Sequence, residues 1–456
     1  MISRELLKKY NVPGPRYTSY PTVPYWDSTP SESEWLRTVD DSLRDARRAN
    51  TGAAIYVHIP FCEKLCTFCG CTKMISQDHT VGMPYVETVL KEWDLYRERL
   101  DLEQGFPLAE IHLGGGTPTF LSSDELKRLV EGLTSTCKIV DHHEFSVEAN
   151  PNVTSREQLE ALYEVGFRRL SFGVQDFDEK VQRVINRVQP VEQVRRLTEE
   201  ARDVGFEGVN YDLVYGLPFQ TLDSVTQTVD VVRNLRPDRI AFYAYAHVPW
   251  VSKTQRMFTE ADLPSGDEKR ELYEKGRLMF EELGYREIGM DHFALESDSL
   301  WKAVETSTLH RNFMGYTQQE VFPMIGLGMS SIGDSGVAFV QNEKTLDEYR
   351  DSVDAGRLPI LRGHSLDRED EVLRRHILNL MTRLETDWSR EPDYTSWLDE
   401  VPGRLKEMEQ DGLVQLGEQS CKVSPDGLSV IRNICMAFDA RLNRKAPDTE
   451  LFSKTI

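Results

Sequence analysis

Short apolar runs and longer amphipathic stretches alternate along the middle of this chain. The apolar runs are rich in β-branched residues, and they begin at Ala54, Glu110, Glu144, Arg169, Gly208 and Arg239. Several of the stretches between them, such as SREQLEALYEVG, begin with Ser, Thr or Asp and end on Gly, the residues preferred at helix ends. Alternating strands and helices predict a parallel sheet with right-handed crossovers. Six such units favour an α/β fold of the incomplete (β/α)6 TIM-type barrel.

The pattern differs on both sides of these units. The first fifty or so residues include GPRYTSYPTVPYW, which is rich in Pro and Tyr and indicates an arm over the barrel. After about residue 345, charged amphipathic stretches such as LDREDEVLRRHILNLMTRL predict a smaller, mainly helical domain. We therefore expect an N-terminal arm over residues 1–50, a barrel domain over 51–342 and a C-terminal domain over 343–456.

The composition is that of a globular protein, with 39% hydrophobic and 28% charged residues. The sequence has no run of about eighteen apolar residues that could span a membrane. Its first residues, MISRELLKKYNVPGPRY, lack the apolar core of a secretory signal, so a cytoplasmic location is expected. The formal charge of −21 disfavours nucleic acid as a partner, because an acidic surface repels phosphate.

Glycine and polar residues stand at the carboxyl ends of the predicted strands. They are the glycines of LGGGTPT, followed along the chain by Glu148, Gln175, Asp212 and Ala246. Ligands bind at this edge of parallel α/β folds. Any one of these residues alone is more often an ordinary strand-end residue, but their shared location predicts a binding site.

Four of the seven cysteines lie within residues 62–71. In a cytosolic protein such a cluster indicates metal or redox chemistry, because a structural disulfide would be reduced there. Zinc sites usually pair two close cysteines with a second pair far along the chain, whereas Cys62, Cys66 and Cys69 share one short loop after a strand. Three thiolates can hold three irons of a [4Fe–4S] cubane and leave the fourth iron open, while electron-transfer ferredoxins use four cysteines. A zinc knuckle is the alternative.

The spacing of these cysteines resembles the signature of the radical S-adenosylmethionine superfamily. In that superfamily the open iron binds the amino and carboxylate groups of S-adenosylmethionine, and one electron cleaves it to methionine and a 5′-deoxyadenosyl radical. LGGGTPT fits this resemblance, because glycines after a strand let backbone groups approach a ligand. A phosphate-binding loop is the alternative, but neither Lys-Ser/Thr nor a GxGxxG pattern accompanies the glycines.

Longer segments narrow the resemblance to one family. Over nearly its whole length the chain resembles the oxygen-independent coproporphyrinogen III oxidases, in the segments PRYTSYPT, YVHIPFCEKLCTFCGC, HLGGGTPTFL, VEANP, SFGVQDF, YDLVYGLPFQT, YAHVPW, HRNFMGY and RNICMAFD. The resemblance implies a [4Fe–4S] cluster on Cys62, Cys66 and Cys69, and two molecules of S-adenosylmethionine.

The resemblance also implies which residues contact each S-adenosylmethionine. Those expected at the cluster-bound molecule are Tyr56, Gly115, Glu148 and Ile332. Those expected at the second molecule are Phe68, Gly116, Thr117, Gln175, Arg187, Asp212 and Ala246. The chemistry agrees for several, since Asp212 or Glu148 can bind a ribose hydroxyl or an ammonium and Arg187 suits a carboxylate.

Further predictions concern the roles of Cys71, His58 and two segments that contain arginine. Cys71 is expected not to bind iron, because a fourth thiolate would occupy the site needed by S-adenosylmethionine. His58 faces the same side of its strand as Tyr56 and matches a family histidine near the substrate. We name it as a candidate proton donor, with a structural histidine as the alternative. The segments His310-Arg311-Asn312 and Arg432-Asn433 are candidate binding sites for propionate carboxylates, which the guanidinium groups of Arg311 and Arg432 can bind with two hydrogen bonds.

The implied activity is oxidative decarboxylation of two propionate side chains of coproporphyrinogen III to vinyl groups, giving protoporphyrinogen IX in anaerobic haem biosynthesis. It requires an electron donor such as flavodoxin, and we expect a monomer. The alternative is a haem chaperone of the same superfamily, which binds haem without decarboxylation; such relatives lack the Gly70-Cys71 tail and the RYTSYP arm. That arm also disfavours a haem-degrading methyltransferase, and the acidic charge disfavours nucleic-acid binding by the C-terminal domain.

Overall fold

A computed structural model of the chain describes residues 2–102, 105–250, 252–445 and 451–455. Its strands are, in chain order, β1 (Ala53–Ile59), β2 (Phe61–Cys62), β3 (Met74–Ile75), β4 (Phe106–Gly115), β5 (Cys137–Ala149), β6 (Arg169–Gln175), β7 (Gly208–Tyr215), β8 (Arg239–Ala244), β9 (Tyr285–Gly289), β10 (His292–Leu295), β11 (His310–Asn312), β12 (Gly315–Thr317), β13 (Met324–Leu327), β14 (Ile332–Asp334), β15 (Ala338–Asn342), β16 (Ile360–Ser365), β17 (Glu385–Asp387), β18 (Val414–Leu416) and β19 (Ser420–Val423).

Helices connect most of these strands. The α-helices are α1 (Arg4–Tyr10), α2 (Glu32–Ala49), α3 (Gly82–Arg99), α4 (Ser123–Thr134), α5 (Arg156–Glu164), α6 (Glu179–Val184), α7 (Val191–Val204), α8 (Leu222–Leu235), α9 (Gly266–Glu282), α10 (Ser299–Glu305), α11 (Leu346–Asp354), α12 (Arg368–Arg383), α13 (Trp397–Gln410), α14 (Ile431–Phe438) and α15 (Ala440–Arg444). Short 3₁₀ segments cover Val23–Tyr25, His79–Val81, Pro118–Phe120, Lys253–Met257, Glu260–Asp262 and Gly427–Val430.

The six predicted apolar runs form the parallel centre of one sheet, in the order β1, β4, β5, β6, β7 and β8. In β6 the residues alternate between buried and half-buried. Leu170, Phe172 and Val174 belong to the core, whereas the intervening polar and glycine residues face the other side of the strand. One face of the sheet therefore packs under helices and the other lines the barrel interior, which confirms the predicted incomplete barrel.

The sheet extends beyond these six strands at both edges. Beside β1 lies a seventh parallel strand, β13, and β14, β15 and β16 continue from it in antiparallel pairs. Beside β8, the hairpin of β10 and β9 forms the other edge. Among the described residues the two outermost strands, β16 and β9, do not pair with each other, so the barrel is open.

A buried carboxylate ties helix α3 to this extension. Glu92 accepts hydrogen bonds from the Gly328 backbone N–H (2.8 Å), the Asn342 side chain (2.7 Å) and the Tyr349 hydroxyl (2.7 Å). Burial raises the pKa of Glu92 to about 7 despite these three donors. The loop that follows β13 is thereby fixed against the barrel wall.

The N-terminal segment contributes to two hydrophobic cores. Helix α2 begins with a Ser31 capping box and buries Trp35, Val39 and Leu43 in the barrel core. Tyr17 and Tyr20, earlier in the segment, pack instead in the core of the C-terminal domain. The segment thus joins both parts of the protein.

The C-terminal domain is mainly helical, as predicted. Helices α12, α13 and α14 pack around its core, beside a small antiparallel sheet in the order β17, β19, β18. The predicted domain limits at residues 50 and 342 stay predictions. Strand β16 pairs with β15, so the barrel sheet itself continues to Ser365.

Candidate active site

Side chains of neighbouring strands meet at the carboxyl edge of the sheet. Tyr56 of β1 stands opposite His112 of β4, and their rings stack with centroids 5.9 Å apart. His112 Nε2 lies 3.4 Å from Glu148 Oε1 on β5. His112 therefore connects two residues predicted to contact the first S-adenosylmethionine, although no sequence motif indicates this role.

The glycine motif bends over the end of β1. Gly115 has φ +112°, and a Cβ there would lie 2.8 Å from the His58 ring. Its N–H donates to Glu148 Oε2 at 3.2 Å, while the Gly116 N–H donates to the Ile59 carbonyl at 2.7 Å. Only glycine meets both the conformational and the steric requirement at Gly115. The result is exposed backbone beside a carboxylate, which suits an amino-acid ligand.

The cysteine loop, residues 62–73, is held in place by side chains from distant parts of the chain. Each of these side chains donates to a loop carbonyl: Asn186 to Leu65 (2.7 Å), Gln255 to Phe68 (2.9 Å) and Ser252 to Cys69 (3.2 Å). Because the loop has little regular structure, these bonds fix where its thiols lie.

The three predicted cluster ligands are half-buried thiols that lie near one another. Burial and the nearby Cys69 and Cys66 raise the pKa of Cys62, whose sulfur lies 3.4 Å from Thr117 Oγ1. In the part of the chain that the structure describes, no three His, Cys, Asp or Glu side chains converge on a single metal ion. A [4Fe–4S] cubane binds each thiolate to a separate iron, so this donor set fits it.

Cys71 differs from these three thiols. It is exposed to solvent, and its hydrogen bond with Cys69 is the main reason that the pKa of Cys69 falls to about 6. The same contact raises the pKa of Cys71. The roles of Cys69 as a cluster ligand and of Cys71 as a non-ligand stay predictions.

Arg187 connects the cysteine loop to strand β6. Its guanidinium donates to Cys66 Sγ at 3.6 Å and to the Gly173 carbonyl at 2.6 Å. A Cβ at Gly173 would lie 2.8 Å from both Arg187 Nη2 and Gln175 Nε2, so glycine makes room for both side chains. Gln175 itself has φ +71°, a conformation that a non-glycine residue adopts at a cost of roughly 1–3 kcal/mol. Two predicted contacts of the second S-adenosylmethionine thus lie together at the edge of the site.

Asp212 is the acid of β7, and it lies three residues before that strand ends rather than at its carboxyl end. Its carboxylate accepts hydrogen bonds from Asn210 Nδ2 at 2.8 Å and from Ser171 Oγ at 3.0 Å. Burial, followed by the charge of Glu148, raises the pKa of Asp212 to about 7. The group can therefore bind a hydroxyl as acceptor or as donor near neutral pH.

His58 links β1 to the end of the cysteine loop. Its Nε2 lies 2.9 Å from the Thr72 carbonyl, and its Nδ1 lies 3.1 Å from the Tyr56 hydroxyl. Because a carbonyl only accepts, Nε2 carries the proton and Nδ1 accepts from Tyr56. Burial lowers the pKa of His58, so the ring is neutral. These contacts are those of a structural histidine, and the proton-donor role stays a prediction.

Gln255 brings two further predicted residues together. The amide that donates to Phe68 also donates to the Ala246 carbonyl at 3.1 Å and accepts from the Val248 N–H at 2.6 Å. The loop after β8 and the cysteine loop therefore share one buried side chain. Sequence reasoning missed Gln255 because it lies 187 residues from Phe68 and belongs to no recognisable motif.

Ile332 lies at the opposite side of the site. Its carbonyl faces Gly326, where a Cβ would be 2.5 Å away, and Gly326 is the register partner of Tyr56. The structure thus places Ile332 on β14, one strand beyond the register partner of Tyr56, and its contact with S-adenosylmethionine stays a prediction.

The two arginines predicted to bind propionates have different surroundings. Arg432 donates to the backbone carbonyls of Pro15 (2.8 Å), Lys454 (3.0 Å) and Gly14. Its guanidinium is occupied by the N-terminal arm and the C-terminal tail. The prediction that Arg432 binds a propionate stays a prediction, although the chain itself supplies acceptors for this guanidinium.

Arg311 has fewer partners than Arg432 among the described residues. Its side chain is buried, its Nη2 lies 3.5 Å from the Arg16 carbonyl, and its guanidinium stacks on Tyr316 at 4.6 Å. Among the described residues, its Nε and Nη1 have no hydrogen-bond partner and it forms no ion pair. A buried cation without a counter-charge is costly, so Arg311 is suited to an anionic ligand.

Comparison with known proteins defines the class first. The Radical SAM superfamily model matches residues 56–232, a range that includes the cysteine loop and the glycine motif. The chain is therefore a radical S-adenosylmethionine protein. Among the described residues, no helix combines the length and the hydrophobicity needed to cross a bilayer.

Full-length relatives define the family. An oxygen-independent coproporphyrinogen III oxidase of Pseudomonas aeruginosa is 37% identical and covers 96% of this chain and 95% of its own. One of Helicobacter pylori is 36% identical and covers 100% and 99%. The solved structure of coproporphyrinogen III oxidase from Escherichia coli, a radical SAM enzyme, matches with a TM-score of 0.88 at 35% identity, over 96% and 99% of the two chains. The chain belongs to the oxygen-independent coproporphyrinogen III oxidase family, which confirms the resemblance seen in the sequence.

Proposed function

We propose that this protein converts coproporphyrinogen III to protoporphyrinogen IX by oxidative decarboxylation of two propionate side chains. The observation that carries this proposal is the full-length match to relatives with that activity in their names, at 36–37% identity. The site supports it, because the cysteine loop, the glycine motif and the strand-end residues are all present at one edge of the barrel.

Cys62, Cys66 and Cys69 would hold the [4Fe–4S] cluster, and two molecules of S-adenosylmethionine would lie beside it. When bound, these groups supply a radical able to remove a hydrogen atom from carbon. The residues proposed at the first S-adenosylmethionine are Tyr56, Gly115, Glu148 and Ile332. Those proposed at the second are Phe68, Gly116, Thr117, Gln175, Arg187, Asp212 and Ala246. Glu148 lies beside the Gly115 backbone, and its negative charge suits an ammonium group. Arg187 would hold a carboxylate.

A propionate of the substrate would be the negatively charged partner that Arg311 lacks among the described residues. Each propionate loses a hydrogen atom from the carbon next to the ring, then CO₂ and one electron, and a vinyl group remains. A guanidinium that binds a propionate carboxylate positions that side chain for hydrogen removal. Arg311 would have this positioning role, whereas neutral His58 would keep Tyr56 and the cysteine loop in place.

The remaining proposals concern the electron donor, the oligomeric state, the location and the domains. An electron donor such as flavodoxin would reduce the cluster, and the protein would act as a monomer. Because Cys71 and the cluster thiols need a reducing environment, the cytoplasm is the proposed location. We also propose an arm, a barrel domain and a C-terminal domain near the limits expected from the sequence, with β16 kept in the barrel domain.

An anaerobic assay tests the function. The reconstituted protein receives dithionite, S-adenosylmethionine and coproporphyrinogen III, and the products are separated by chromatography. We expect CO₂ and protoporphyrinogen IX, with 5′-deoxyadenosine and methionine. Cleavage of S-adenosylmethionine without any vinyl product would contradict the proposal, and tight stoichiometric haem binding without turnover would favour a haem chaperone instead.

A further inference from the structure

The surface around the cysteine loop is basic although the chain as a whole is acidic. We define the redox patch as residues 62–73, 179–188, 249–250 and 252–257. These segments carry seven Lys and Arg against two Glu, whereas the whole chain has a formal charge of −21. A local reversal of charge on an acidic protein gives an acidic partner one preferred place to bind.

The segments of the redox patch form one continuous surface. Asn186 binds the loop at Leu65, and the Thr67 N–H donates to the Ile185 carbonyl at 3.1 Å. On the other side, Ser252 binds the loop at Cys69. The cysteine loop therefore lies between the segment that follows α6 and the segment that follows β8.

Large apolar side chains are exposed within the redox patch. Trp250 is 47% exposed, Val188 is 51% exposed and Met257 is 76% exposed. Trp and Met are common in the centres of protein interfaces, where they bury a large apolar area on binding. Exposed apolar residues with a basic rim are typical of a surface that binds a protein rather than a small anion.

The rim is formed by cations that are available to a partner. Lys64, Lys180, Lys253 and Arg256 are all exposed, and Lys180 lies over the Phe219 ring at 4.3 Å. None of these four side chains forms an ion pair with another described residue. Their charges are therefore free to attract carboxylates on another protein.

We propose that the redox patch is the docking surface for a small acidic protein that carries a one-electron redox cofactor. This inference rests on the proposed function, because it assumes a [4Fe–4S] cluster on the three thiols. The partner is oxidised by one electron and the cluster is reduced by one electron, with no transfer of atoms. Docking at this face places the partner directly over the loop that holds the cluster.

The experiment compares two electron sources in the reconstituted, cluster-containing protein. Reduced flavodoxin is the acidic protein probe, and dithionite reduces the cluster without docking. The test variants are Lys180→Glu/Lys253→Glu, which reverses rim charge, and Trp250→Ser, which removes apolar area. The control is Lys275→Glu/Lys406→Glu, with the same change in net charge at exposed positions of α9 and α13 outside the patch.

Three quantities are measured anaerobically: the Kd for flavodoxin by calorimetry, the rate of cluster reduction by absorbance, and the salt dependence of both. We expect each test variant to raise the Kd about tenfold or more, as interface anchors and complementary charges commonly do. The charge-reversal variant should also lose most of the salt dependence. Reduction by dithionite and the control variant should match the unchanged protein.

An unchanged Kd and an unchanged rate of reduction by flavodoxin in both test variants would overturn the proposal. So would an equal loss of rate with dithionite, because the variants would then act through the cysteine loop itself. Absence of vinyl product in the unchanged protein with dithionite would instead contradict the proposed function. Cluster reduction by flavodoxin would remain measurable in that case, so the two failures are distinguishable.

Discussion

Replacing Gln255 by glutamate tests whether one buried amide organises both the cysteine loop and the loop after β8. Gln255 is 2% exposed, and its Nε2 donates to the Phe68 and Ala246 carbonyls. Gln255→Glu keeps the size of the side chain and the acceptor for the Val248 N–H. It replaces the donor by an oxygen that faces two carbonyl oxygens.

The size of the effect follows from these contacts. Two hydrogen bonds worth about 1 kcal/mol each are lost, and a buried polar group without a partner costs a further 1–3 kcal/mol or so. The interaction free energy that holds Phe68 and Ala246 together should therefore decrease by about 3 kcal/mol. That corresponds to roughly a hundredfold in an equilibrium constant, because 1.4 kcal/mol is about tenfold.

Calorimetry of S-adenosylmethionine binding to the cluster-containing protein, with iron analysis, measures this effect. The Kd of one of the two expected binding events should rise by up to about a hundredfold in Gln255→Glu, and by less in Gln255→Ala, which leaves no opposed oxygen. Wild-type affinities and iron content in Gln255→Glu would refute the reasoning.

Three further predictions concern the thiols, the substrate and a buried acid. Cys66→Ser should abolish the charge-transfer absorbance of the cluster while Cys71→Ser retains it; a full cubane spectrum in Cys66→Ser would contradict the ligand assignment. Arg311→Met should raise the KM for coproporphyrinogen III about tenfold to a hundredfold, since a hydrogen bond to a charged group contributes roughly 1.5–3 kcal/mol. S-adenosylmethionine binding should not change, and an equal loss of both affinities would disprove a specific role. The pKa of Glu92 rises from 4.5 to about 7 on folding, so its contribution to stability is present at low pH and is lost as the pH rises to 7. Between pH 5 and 8 the free energy of unfolding of the unchanged protein should fall by up to about 3 kcal/mol more than that of Glu92→Gln, as measured by thermal unfolding. Equal decreases in the two proteins would exclude this role of Glu92.

Much of the fold was predictable because its signals are local. Strands β4, β5, β6 and β7 are each followed by a helix with a side-chain N-cap. The residues at the carboxyl ends of parallel strands share one edge of the sheet. The antiparallel strands β14, β15 and β16 were not predicted. They are short, and β15 is buried throughout, so no alternation marks it as a strand.

The parts of the site that escaped prediction depend on contacts between distant residues. Gln255 and Asn186 hold the cysteine loop from positions far along the chain, and neither has a neighbouring pattern that indicates this role. Arg311 and Arg432 are equally able to bind a carboxylate by chemistry alone. Only packing distinguishes them. The backbone surrounds the Arg432 guanidinium with carbonyls, whereas Arg311 has one long bond to a carbonyl and two nitrogens without a partner among the described residues.

The bonds of Arg432 have a consequence for the order in which the protein assembles. They connect the arm at Pro15 to a helix 417 residues later. At roughly 5–20 residues per second of synthesis, the arm waits tens of seconds for its partner after leaving the ribosome. The barrel sheet ends at Ser365, so it is complete only in the last part of that interval, while the arm and the C-terminal domain have not yet joined. An iron–sulfur carrier that delivers the cluster would therefore find the nascent chain more open than the finished protein.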